Sequence, residues 1–203
     1  MFRLQSVLKI FLFLIYINLT ACISIAGGDI PEIDSSALYF DNLEPKPSLA
    51  YHFDGLGYFE EHENVLLKEL DESGYFSSII KNPDKYYGIA PEKATRADIE
   101  LNITLNNYSN MNLLFAVLSG FSLFTIPTWS TSDYQFEVQV VDRNALKSEF
   151  ILMDSSTVIT WLPLILTFEL AIPHAPGNAA DKIVWQNGFR NILLAIKDKG
   201  FLD

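Results

Sequence analysis

Apolar and polar residues alternate strictly from Asp98 to Asn106, where Ile99, Leu101, Ile103 and Leu105 occupy every second position. A period of two describes a strand with one buried and one wet face. Tyr134 to Val140 repeats the pattern, and Lys147 to Met153 returns with Phe150 and Leu152 on the inner side. Asp142-Arg143-Asn144-Ala145 between them has turn composition, so these two segments predict a hairpin. Leu49 to Phe53 and Tyr75 to Ile80 predict two shorter strands, and the polar stretch from Lys81 to Thr95 a surface loop.

A period near 3.6 takes over in two places. From Glu60 to Ser73, Leu66, Leu67 and Leu70 share one face, the glutamates suit the positive N-terminal end, and Gly74 supplies the stop. From about Ala179 to Lys197, Trp185, Phe189, Ile192, Leu193 and Ile196 form an apolar stripe, with Asn178 placed to cap it and Gly200 to end it. Gly188 inside that helix costs about 1 kcal/mol against alanine, which a close approach of another group would explain. This order predicts an α+β fold: a mostly antiparallel sheet of four to five strands, with two helices packed on one face. A doubly covered parallel sheet would show continuous apolar runs.

Two apolar excursions break the pattern. One runs from Leu113 through Leu114, Phe115, Phe121 and Phe124 to Ile126, closed by Pro127 and Trp129. The other runs from Val158 through Trp161, Leu164, Ile165 and Phe168 to Ile172, and Glu169 is its only charge. If the strands around them are antiparallel partners, both excursions leave the sheet at the same pole. Three readings stand. Transmembrane helices would need about 20 apolar residues each. Buried extensions of the sheet or core helices would absorb the runs into the fold. A hydrophobic pole would offer them to a lipid leaflet or a membrane-embedded partner, with Trp129, Trp161 and Tyr134 near the polar boundary.

The amino-terminal segment has a different design. Arg3 and Lys9 precede an apolar run from Ile10 to Ile17, and Leu19-Thr20-Ala21 lead into Cys22, the single cysteine of the chain. This is the layout of a secretory signal, and the tetrad Leu19-Thr20-Ala21-Cys22 resembles the lipobox of bacterial lipoproteins. The resemblance implies diacylglyceryl transfer to the Cys22 sulfur, cleavage before Cys22 and acylation of the new amino terminus. Ile23 stands where an aspartate would follow the modified cysteine, which by analogy with enterobacterial sorting implies the outer membrane. Ser119 to Pro127 and Trp161 to Ile165 also resemble stretches of small Gram-negative envelope lipoproteins, and the element order is similar to that of the lipopolysaccharide-assembly lipoproteins. The expected organisation is a signal peptide over residues 1–21, a lipidated terminus and flexible tether over 22–47, and one periplasmic α+β domain over 48–203.

Charge narrows the function. The 203 residues carry 14 Lys and Arg against 25 Asp and Glu. Both basic residues of the signal leave with it, so the remainder is more acidic still. That argues against a nucleic-acid partner, which needs a basic face, and against electrostatic attachment to anionic lipid. No intramolecular disulfide is possible.

Catalytic chemistry finds little support. His52, His62 and His174 lack partners at metal-ligand spacing, and no cofactor motif occurs. His62, between Glu61 and Glu63, reads as part of a solvated helix face. There is no nucleophile elbow and no phosphate loop. The expectation is a non-enzymatic, lipid-anchored accessory or assembly factor that contacts a membrane or envelope complex through the apolar pole. A module binding lipid or another apolar ligand between the excursions is the alternative. An envelope hydrolase centred on His52 or His174 is a third possibility.

Overall fold

The computed structural model describes residues 22–38, 45–55, 59–82, 97–122, 125–142, 147–161 and 179–202. The signal segment, Phe124, the second excursion beyond Trp161, and the Asn178 cap therefore lie outside the described residues.

The fold is mixed α+β. Its strands are β1 (Cys22–Ala26), β2 (Ser48–Gly55), β3 (Ser78–Lys81), β4 (Ile99–Met111), β5 (Thr128–Asp142) and β6 (Lys147–Thr160). Its α-helices are α1 (Phe59–Ser73), α2 (Leu113–Phe121) and α3 (Ala179–Asp198). One six-stranded sheet runs in the order β1-β6-β5-β4-β2-β3. β1 pairs antiparallel with β6, with Cys22 opposite Thr160 and Ala26 opposite Ser156. Side-chain bonds join Gln139 to Glu149 and Thr131 to Thr157, one index falling as the other rises, so β5 and β6 also run antiparallel.

The expectations for the sheet and for the amino-terminal segment are corrected. The sheet has six strands, and β2 lies parallel to both of its neighbours, β3 and β4. The parallel pairing with β3 follows from α1, which carries the chain back between β2 and β3 as a crossover. The stretch expected to be a flexible tether contains β1, and then a 3-10 turn at Ser35–Leu38. Ile30, Ile33 and Leu38 within it are buried. The Asp154 carboxylate accepts the Asp29 and Ile30 amides, and Arg190 and Asn191 donate to the Ile33 and Pro31 carbonyls. β5 and β6 run beyond their alternating stretches, so 128–132 and 158–160 are strand, and the second excursion begins as an extension of the sheet.

The chain forms two compact units. Unit 2 comprises residues 28–108, 133–154 and 182–203. Its core is the period-two face of the sheet: Leu49, Tyr51 and Phe53 from β2, Ile99 to Leu105 from β4, and Tyr134 to Val140 from β5. Leu66 and Leu70 of α1 and Phe189, Leu193 and Ile196 of α3 are buried with them. Phe189 meets Phe53 and Phe136 edge-on, at 6.0 and 5.7 Å between ring centres. Gly74 and Gly200 end their helices at φ +65° and +74°, a conformation open to glycine without strain.

His62 is buried, against expectation, and meets Trp185 edge-on with ring centres 4.0 Å apart. Its sequence neighbours are acidic, but its helical neighbours are Val65, Leu66 and Glu69 on the inner face. Tyr134 also belongs to this core, 6.0 Å from Trp185, and takes no place at a polar boundary.

Unit 1 comprises residues 1–27, 109–132 and 155–181. It holds β1, α2 and the ends of the three long strands. The described parts of both apolar excursions fall within it.

Candidate functional site

The excursion that begins at Leu113 forms a helix because Asn112 caps it: the Asn112 side chain accepts the Phe115 amide at 3.3 Å. Its far end is tied down by hydroxyls. Ser119 Oγ donates to the Ile126 carbonyl at 2.7 Å, and Ser122 Oγ to the Ser119 carbonyl at 3.0 Å. Ser119 is fully buried and is the one buried residue of α2.

This orientation inverts the usual surface helix, which turns its apolar stripe toward the core. At about 100° per residue, Leu113, Leu114, Val117, Leu118 and Phe121 share an arc of about 140° whose centre lies nearly opposite Ser119. All five are exposed: Phe121 at 88%, Leu113 at 70% and Leu114 at 66%. The helix thus stands on a serine and presents bare hydrocarbon outward. Isolated apolar side chains on a surface need no explanation, but a contiguous row marks a contact site.

The exposed Trp129 of β5 extends the patch, its ring centre 5.3 Å from that of Phe115. Trp161, exposed at the end of β6, donates its indole N–H to the Thr125 carbonyl at 3.1 Å. Thr160 beside it is the register partner of Cys22. The cysteine, both tryptophans and α2 therefore belong to one unit. Leu19, Thr20, Ala21, Phe124, Leu164, Ile165 and Phe168 lie outside the described residues.

The charge distribution follows the same division. Among the described residues, Asp181 is the only charged residue of unit 1. Asp181 accepts a hydrogen bond from Ser156 Oγ. Residues 109–132 contain no charged residue at all.

Of the histidines considered for chemistry, His174 lies outside the described residues. His52 pairs in register with Asn102 on the wet face of the sheet. Asn102 donates to Gln139 at 3.4 Å, and Gln139 to Glu149 at 2.8 Å. Lys147, bonded to Glu149, holds its carboxyl below the usual carboxylate range, and Gln139 adds to this. A groove of about 680 Å³ runs along this ladder, lined by Asn102, Glu137, Gln139, Glu149 and Ile151. Glu137 in this groove accepts from Asn106 and Gln135, both at 3.1 Å. In unit 2, Tyr51 donates to Glu63 at 2.7 Å and Lys81 approaches the same carboxylate at 2.7 Å. Burial alone would raise Glu63, but the bonds from Lys81 and Tyr51 outweigh it and hold its pKa below the ordinary value. Burial, together with donation to Glu63, pushes the Tyr51 hydroxyl well upward. Among the described residues, no group of His, Cys, Asp and Glu is arranged to hold a metal ion, and no helix is long and apolar enough to cross a membrane.

No protein-family model and no curated protein matches the sequence. Among solved structures, the chain is similar to rare lipoprotein B from Shewanella oneidensis, at 11% identity and a TM-score of 0.40, over 74% of this chain and 95% of that one. It is also similar to a neuraminyllactose-binding hemagglutinin homolog from Helicobacter pylori, at 11% identity and a TM-score of 0.36, over 79% and 87% of the two chains. Likeness at this level leaves function to be argued from the residues of this chain.

Proposed function

We propose that this chain is a lipid-anchored protein of the bacterial envelope, held by acyl groups on Cys22 and acting without catalysis as an accessory or assembly factor. Its apolar surface in unit 1 contacts a membrane or a membrane complex. The observation that carries the reading is α2, a capped helix whose buried residue is a serine and whose outward stripe is Leu113, Leu114, Val117, Leu118 and Phe121. A helix of that kind is stable in contact with another apolar phase and is costly in water. The lipobox resemblance favours a membrane nearby, and Ile23 after the modified cysteine favours the outer membrane.

Mass spectrometry of protein isolated from cells tests the anchor. The amino-terminal peptide is expected to begin at Cys22 and to carry acyl chains, and Cys22→Ser to abolish that mass and move most of the protein out of the membrane fraction. An unmodified Cys22 still preceded by Ala21 would overturn the reading.

A further inference from the structure

We infer that α2 seats in the same lipid leaflet that receives the acyl chains of Cys22, as a second membrane contact rigidly coupled to the first. The inference rests on the anchor proposed above and names the occupant of the apolar surface.

Three observations select the leaflet. The first is the missing leash. A flexible tether of 25 residues would let the body range about 25–30 Å from its anchor, leaving the orientation of every surface free. Here the residue expected to carry the lipid is itself the first residue of β1, paired with Thr160. Gly27 continues the attachment, its backbone N–H donating a hydrogen bond to the Ser155 carbonyl at 2.6 Å. The acyl chains therefore enter the bilayer where unit 1 stands.

The second is connection. Thr160 is followed by Trp161, whose indole is bonded to Thr125, four residues beyond the end of α2. Two pairings thus join the sulfur-bearing residue to the helix. Indole rings with one polar edge are favoured at the boundary between headgroups and acyl chains, and Trp129 and Trp161 are both exposed.

The third is size and charge. Nine residues of helix extend about 13 Å, far short of the roughly 30 Å of a hydrocarbon core. That length cannot span, but it can lie in the interface at a depth of about 5–10 Å. The whole of residues 109–132 is uncharged, so no ionised group in the segment opposes entry. The lack of basic residues also means that binding is hydrocarbon-driven, without dependence on anionic lipid.

The test uses the lipidated protein in phosphatidylcholine vesicles whose acyl chains are brominated close to the glycerol backbone. Emission from Trp129 and Trp161 is expected to be quenched, and Trp129→Phe with Trp161→Phe to leave a buried Trp185 that resists quenching. Phe121→Glu, at a fully solvated position that the fold does not need, is expected to reduce quenching of Trp129 by about tenfold with an unchanged circular-dichroism spectrum. Replacing half the lipid with phosphatidylglycerol is expected to change nothing. Absence of quenching in protein whose Cys22 carries acyl chains overturns the docking and leaves the anchor standing. Absence of acyl chains overturns the anchor, and the docking with it. Unfolding of Phe121→Glu without vesicles would show that the helix packs against its own chain, and a Phe121 crosslink to a membrane protein without lipid quenching would show a protein partner. Either result contradicts the leaflet.

Discussion

A Cβ on Gly188 would come within 2.5 Å of the Phe136 ring, so this glycine exists to let a β5 phenylalanine lie flat against α3. Gly188→Ala would gain about 1 kcal/mol of helix propensity but force overpacking that costs about 1–3 kcal/mol. Urea denaturation is expected to show net destabilisation of about 1 kcal/mol, and Phe136→Leu in the same chain to recover at least half of it. Stabilisation by Gly188→Ala alone would contradict the packing described. A second residue-scale prediction concerns Glu69, which is buried and takes Arg190 Nε at 2.8 Å and Gln186 Nε2 at 2.6 Å. Arg190→Ala would strand that carboxylate and release the Ile33 carbonyl, at a cost of about 3 kcal/mol or more. Arg190→Met with Glu69→Leu is expected to recover most of the loss, because no buried charge remains unpaired.

The elements were legible where a local period set them. The alternation at 98–106 marks β4, and the stripe from Trp185 to Ile196 marks α3. Partners distant in sequence left no such trace. The segment after β1 is held by Asp154, Arg190 and Asn191, more than 120 residues away, and has no period of its own to announce its burial. The parallel placement of β2 is likewise a property of the sheet. His62 was different: its spacing to Leu66 and Leu70 placed it on the inner face of α1, and the flanking glutamates hid the signal. The Tyr51–Glu63–Lys81 group makes a prediction at this scale, since it ties β2, α1 and β3 together. The folded pKa of Glu63 is lowered, so its contribution is complete above the ordinary value of 4.5 and fades as pH falls below it. Glu63→Gln is expected to lower stability by about 0.5–1 kcal/mol at pH 7, with the difference from wild type shrinking on acidification. A difference that grew in acid would contradict the assignment.

Across the whole molecule, charge and bare hydrocarbon are segregated by unit. Unit 2 has the acids, the ion pairs and a conventional core, while unit 1 has the cysteine, the uncharged run and an outward apolar helix. The sequence showed the two apolar runs and the lipobox-like tetrad. It did not show that β1 begins at the cysteine itself, because a five-residue edge strand has no signature apart from its partner. The consequence is that the anchor and the contact surface act as one piece. Because Cys22 is the only cysteine and the account places acyl chains on its sulfur, Phe121→Cys creates a single free thiol for an environment-sensitive dye. The decisive measurement is the access of a water-soluble quencher to that dye in intact envelope membranes, compared with the same dye on a Lys68→Cys variant of α1. The account predicts a blue-shifted, shielded signal at 121 and an open one at 68, and equal access at both positions would contradict it.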